Sequence, residues 1–97
     1  MQVKWLRRAL RNLEQEAAYI ARDNPRAAAG LVAAVDATAR LLAHHPAMGR
    51  PGRVPGTREL VPPRFPYIVP YRVRERRVEI LRVFHASRKW PDQLQDP

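Results

Sequence analysis

Tyr67-Ile68-Val69-Pro70-Tyr71-Arg72-Val73 and, after four charged residues, Val78-Glu79-Ile80-Leu81-Arg82-Val83-Phe84-His85 carry the reading of this chain. In the first run Tyr67, Val69, Tyr71 and Val73 recur at every second position, which predicts a strand with those side chains on the core face. The second run is apolar on both sides (Val78, Ile80 and Phe84 against Leu81 and Val83), which predicts a central strand covered twice. Arg74 to Arg77 lies between them and lacks the Gly or Asn of a tight two-residue turn, so a longer loop is expected. Pro70 is an anomaly. A proline inside a middle strand forfeits a ladder hydrogen bond, so either a bulge sits there or its nitrogen faces an unpaired side.

Working backward, Pro62-Pro63 ends a brief strand over Thr57 to Val61. Met48 to Gly56 holds three Gly, two Pro and two Arg and is expected to be an irregular loop. The first half is helical. Leu6, Leu10, Leu13, Ala17 and Ile20 fall at three- and four-residue steps and predict one helix ending near Asp23. Asn24-Pro25 restarts the chain, with Asn24 as cap and Pro25 at the first helical position. Ala28, Leu31, Val32, Val35, Ala39 and Leu42 mark the buried side of a second helix running to about Ala43. The short link makes the pair an antiparallel αα-hairpin. Gln2 to Trp5 reads as a first strand, with Trp5 packing in the core. The expected class is α+β, with helices on one side of an antiparallel sheet.

The 97 residues make one small, thinly cored domain. There is no Cys, so disulfides, thiolate metal sites and cysteine nucleophiles are excluded. With no apolar run long enough to span a membrane and no signal-peptide pattern, the expected location is the cytoplasm. His44 and His45 lack further ligands at suitable spacing, so neither a metal nor a cofactor is expected. The net charge of +9 is the strongest compositional signal. Seven cations and four acids lie up to Gly49, and eleven cations and five acids follow from Arg50. Such a field attracts nucleic acid and acidic protein alike. Sixteen of the eighteen cations are Arg, which forks onto phosphate and carboxylate equally.

The order Gly49-Arg50-Pro51-Gly52, Gly56-Thr57-Arg58-Glu59-Leu60, the two strands and the closing His85-Ala86-Ser87-Arg88-Lys89-Trp90 resembles the RelE/ParE family of type II toxin–antitoxin toxins, the plasmid stabilisation proteins. The resemblance implies one toxin domain over 1–97: a strand over 1–5, a helical hairpin over 6–43 and antiparallel strands over 57–90. It implies a cognate antitoxin, ParD-like or related, whose acidic C-terminal segment forms a hetero-oligomer with this chain. Arg58 is then either a cation positioned for the antitoxin or target, or a structural ion pair with Glu59 or a neighbouring strand. His85, Arg58, Arg88 and Lys89 are the candidates for a ribosome-dependent messenger-RNA endoribonuclease. His85 could serve as acid or base and a cation could hold phosphate; the alternative is that His85 caps the sheet and Arg88 pairs with an acid. Ile68 stands where some RNA-cleaving relatives carry an Arg, and no Tyr follows Tyr71. The incomplete set resembles the ParE branch, whose members bind DNA gyrase and are not enzymes. Arg58, Arg82, Arg88, Trp90, Leu10 and Leu13 are the partner-binding candidates, with Trp90 either an exposed anchor or a plug beneath the sheet.

Overall fold

The computed structural model describes residues 1–87 of the chain. Strand β1 (Gln2–Trp5) leads into helix α1 (Arg7–Ala21) and helix α2 (Pro25–Leu41). Strands β2 (Arg50–Pro51), β3 (Arg58–Leu60), β4 (Tyr67–Arg74), β5 (Arg77–Ile80) and β6 (Phe84–His85) follow. The sheet order is β1-β5-β4-β3-β2, with β6 on β4. Strand β1 joins β5 in parallel, with Val3 opposite Val78, so the sheet is mixed. The amide of Leu6 donates to the carbonyl of Ile80 at 3.0 Å and ties the start of α1 to that strand.

Both helices lay an apolar stripe on one sheet face. On α1 the buried positions are Ala9, Leu13 and Glu16, with Ile20 half-buried on the same core. Leu10 is therefore off the stripe, 45% exposed. On α2 Ala28, Leu31, Val35 and Ala39 are buried, continued by Leu42, while Val32 is exposed. They meet Leu60, Tyr67, Val69, Tyr71, Val78, Ile80 and Val83. Trp5 packs against this core partly buried, and Val73, expected inside, is exposed at the end of its strand.

Asn24 caps α2 as expected, its side-chain oxygen accepting from the amide of Ala27 at 3.0 Å with Pro25 following. Asn24→Ala is expected to cost about 1 kcal/mol, read as a shift in denaturation midpoint with unchanged slope. An unchanged midpoint would mean that water serves the cap equally well.

Three local expectations are corrected. The β4–β5 connection is a two-residue turn, since Arg74 pairs with Arg77. Glu75 and Arg76 both adopt positive φ, 53° and 62°, the twist that a tight hairpin requires even without Gly. The loop after Met48 contains the short strand β2, because Arg50 and Pro51 pair with Glu59 and Arg58. The last strand is interrupted. Tyr71 faces Ile80, whereas Tyr67 faces His85, so one extra residue lies on the β5–β6 side. This is a β-bulge across from Pro70. The amide of Leu81 reaches the carbonyl of Pro70 at 2.9 Å, but Pro70 has no N–H to return. The Leu81 carbonyl accepts from Arg82 Nη1 instead, at 3.0 Å. The bulge also brings Val83 into the core beside Ile80, where strict alternation would have put Arg82.

Candidate functional site

The helical hairpin's closed end and the start of β4 enclose an open cleft of about 480 Å³ lined by Tyr19, Ile20, Ala27, Phe65, Pro66, Tyr67, His85 and Ser87. The local fold positions each group. Tyr67 opens β4 and lies opposite His85 on β6, the two rings meeting edge to face at 5.3 Å. The Tyr67 hydroxyl donates to Glu16 Oε1 at 3.0 Å across 51 residues of chain. That bond gives the carboxylate on the buried stripe of α1 one of its partners. Ser87 fixes the imidazole. Its amide lies 3.2 Å and its Oγ 2.8 Å from His85 Nδ1. A backbone amide can only donate, so Nδ1 is the acceptor and Nε2 carries the proton of the neutral ring. Among the described residues the lining holds no Lys or Arg; it offers aromatic and aliphatic surface with one imidazole.

Arg58 lies elsewhere. Its Nη1 donates to the carbonyl of Gly49 at 2.8 Å, and Glu59 pairs instead with Arg50 and Arg53. Beside it the buried Tyr71 hydroxyl accepts from the Gly49 amide at 2.9 Å and donates to the Pro46 carbonyl at 2.7 Å. Burial raises the Tyr71 pKa above its ordinary value, and the Gly49 amide and the Arg58 charge pull the other way. The phenol keeps its proton and its donor role. Arg58 thus clamps the loop behind α2.

Arg58 faces Tyr71 on one flank of β4 and His85 faces Tyr67 on the other. Four residues of strand and two inter-strand spacings put their Cα atoms roughly 16 Å apart. The fold does not bring these two nuclease candidates together. Arg82 is buried under the bulge, and Leu13 belongs to the core, so neither is an open contact surface; Leu10 is exposed on α1. Ile68 is buried on the sheet face away from the helices. Arg88, Lys89 and Trp90 lie outside the described residues. No group of three or more potential metal ligands occurs among the described residues, and none of their helices is long and apolar enough to cross a membrane.

Glu16, Phe65 and Ser87 are site residues that sequence reasoning misses. A signal exists for Glu16: Ala9, Leu13 and Ile20 stand at helical spacing with it, which marks a polar residue on an apolar stripe. Ser87 and Phe65 carry no pattern that announces them.

A family model described as the ParE toxin of the type II toxin-antitoxin system, parDE, matches residues 3–90. The Sinorhizobium fredii (strain NBRC 101917 / NGR234) protein named "Putative toxin Y4kP" is 51% identical over 92 residues, covering 95% of each chain. Among solved structures, a chain of the chromosomal ParDE TA system from P. aeruginosa matches with a TM-score of 0.81 and 29% identity over 90% of this chain and 97% of that one. A chain of the RelBE2 toxin-antitoxin complex from Mycobacterium tuberculosis matches with a TM-score of 0.57 and 29% identity, over 87% and 95% respectively.

Proposed function

We propose that this chain, which belongs to the ParE toxin family of type II toxin–antitoxin systems, acts by gripping DNA gyrase and not by cutting RNA. The separation of His85 from Arg58 carries this reading. Cleavage of a phosphodiester needs an acid–base group and a cation within hydrogen-bond reach of the same phosphate. Roughly 16 Å between their Cα atoms, with the guanidinium already engaged at Gly49, keeps Arg58 from serving His85 as that cation. The closer backbone likeness to the ParDE chain than to the RelBE2 chain, at equal identity, favours the same branch.

The cognate antitoxin would neutralise the toxin through an acidic C-terminal segment, ParD-like or related, in a cytoplasmic hetero-oligomer. The cleft beside Tyr19 and Phe65 suits an apolar anchor on such a segment, with the basic body around it attracting the acidic flanks. A segment of this kind folds as it binds, and its loss would free the toxin.

The test pairs two targets. The purified chain is added to gyrase supercoiling reactions and to translation extracts. Inhibition of supercoiling without transcript cleavage is expected. His85→Ala should keep its growth inhibition, whereas loss of a catalytic acid or base costs on the order of 10²–10⁴-fold. Cuts in ribosome-bound transcripts that disappear with His85→Ala would establish the nuclease reading instead.

A further inference from the structure

The sheet face turned away from the helices has a built charge pattern. Alternation places Arg72 and Arg74 of β4, Arg77 and Glu79 of β5, and Gln2 and Lys4 of β1 on it. Arg50 and Glu59 share the same face on β2 and β3, and Arg53 reaches Glu59 from the following loop. Two buried carboxylates organise these cations. Glu79 lies 2.7 Å from Arg72 Nε and 3.7 Å from Arg77 Nε. Glu59 lies 3.2 Å from Arg50 Nη2 and 3.7 Å from Arg53 Nε, and its Oε2 also accepts from the Arg53 amide. Each carboxylate holds two guanidiniums, so each triad keeps one positive charge while its arginines lose freedom. Six cations (Lys4, Arg50, Arg53, Arg72, Arg74, Arg77) against three carboxylates (Glu59, Glu75, Glu79) leave a net +3. Arg77 Nε is buried and finds no hydrogen-bond acceptor.

The two triads flank β4, since Glu59 faces Pro70 and Glu79 faces Arg72. Strand spacings put the carboxylate-bearing backbones roughly 12 Å apart. We propose that this outer face of the sheet is a docking surface for the phosphate backbone of duplex DNA. Guanidiniums held in place lose little entropy when they fork onto phosphates, and a duplex offers the denser charge. Single strands need aromatic platforms for their bases. None stands in the charged part of this face, among Gln2, Lys4, Arg72, Arg74, Arg77 and Glu79; Tyr67 and Tyr71 face the helices, and Phe84 stands on the outer face only at its other end, opposite Ile68. The proposal goes beyond the gyrase reading, because it adds a nucleic acid as a ligand on a face separate from the His85 cleft.

The test uses the full chain and a labelled duplex of about 20 base pairs, with affinity followed against salt. Lys4→Ala with Arg74→Ala removes two cations that anchor neither buried carboxylate. Arg7→Ala with Arg26→Ala removes the same charge from the helices, and circular dichroism checks that both variants are folded. The sheet-face pair is expected to weaken binding about tenfold and to reduce the salt slope by about two, with the helix pair within about twofold of the parent. Equal losses in both pairs would reduce the effect to net charge and overturn the proposal. So would absence of binding at the lowest salt, tighter binding of single-stranded RNA of the same length, or displacement by polyglutamate at equal charge, which would mark the face as one for acidic protein. No gyrase enters the assay, so its failure leaves the gyrase reading where it stands.

Discussion

Gly49→Ala is expected to destabilise the protein by about 3 kcal/mol, a fall in Tm of more than about 10 °C for a domain of this size. A Cβ at this position would stand 2.6 Å from Tyr71 Cε1, 2.7 Å from its hydroxyl and 3.0 Å from the Glu59 carbonyl. Relief by a small side-chain shift is blocked. Tyr71 is fully buried, and its hydroxyl bridges the Gly49 amide and the Pro46 carbonyl. Moving the ring breaks both bonds, each worth about 1 kcal/mol and more when a buried partner is orphaned. Moving the loop pulls the Gly49 carbonyl off Arg58. Gly56 supplies the contrast. A methyl group added there would meet nothing within 4 Å, but the backbone φ is +81°, so Gly56→Ala tests conformational strain alone. That change should cost nearer 1 kcal/mol. Thermal melts by circular dichroism would rank the two. Equal melting of Gly49→Ala and the parent would show that the Tyr71 ring has slack, and the clamp would lose its role.

The hairpin of helices is legible because its signals are local. Asn24 acts on the Ala27 amide three residues away, Pro25 acts through its own fixed φ, and the stripe of α2 needs only its own spacing. The stripe of α1 reads one position out, through Leu10 instead of Ala9. Leucine is the stronger apolar signal, and nothing local says that Glu16 has a phenol waiting 51 residues downstream. The same limit explains the sheet. Alternation over Tyr67 to Tyr71 finds the core face, but the bulge opposite Pro70 belongs to the partner strand and shifts its register by one residue. Pro70 announces an irregularity without saying on which strand it falls. The turn at Glu75-Arg76 escapes the sequence because residue preference argues against positive φ, whereas the pairing of Arg74 with Arg77 imposes it. Of the site, His85 stands out by chemistry alone. Its partners and its distance from Arg58 follow from register, and the two carboxylates that gather arginines look like ordinary strand acids until the strands are laid side by side.

Glu79→Gln is the second large effect, and its sign depends on pH. Glu79 is buried, opposite Arg72 on β4, and accepts from Arg72 Nε at 2.7 Å. That hydrogen bond lowers the Glu79 pKa below its ordinary value; burial opposes it, and the charges of Arg72, Arg77 and Arg74 add to the lowering. The folded state therefore favours the charged form. A carboxyl with a depressed folded pKa contributes stability above its unfolded pKa of about 4.3, and that contribution disappears as pH falls through the lower folded value. Replacing the carboxylate by an amide leaves Arg72, only 17% exposed in its side chain, beside a neutral acceptor. The cost at pH 7 should be about 2 kcal/mol, short of the roughly 3–5 kcal/mol seen for fully buried pairs because Arg77 is more open to water. In acid the parent protonates Glu79 and loses the same interaction, while the variant has none to lose. Denaturant titrations should thus show two midpoints far apart at pH 7 that converge as pH drops below about 4. A gap that stays constant down to about pH 3 would mean that the amide disrupts packing, and that the Arg72–Glu79–Arg77 charge arrangement contributes nothing to the fold.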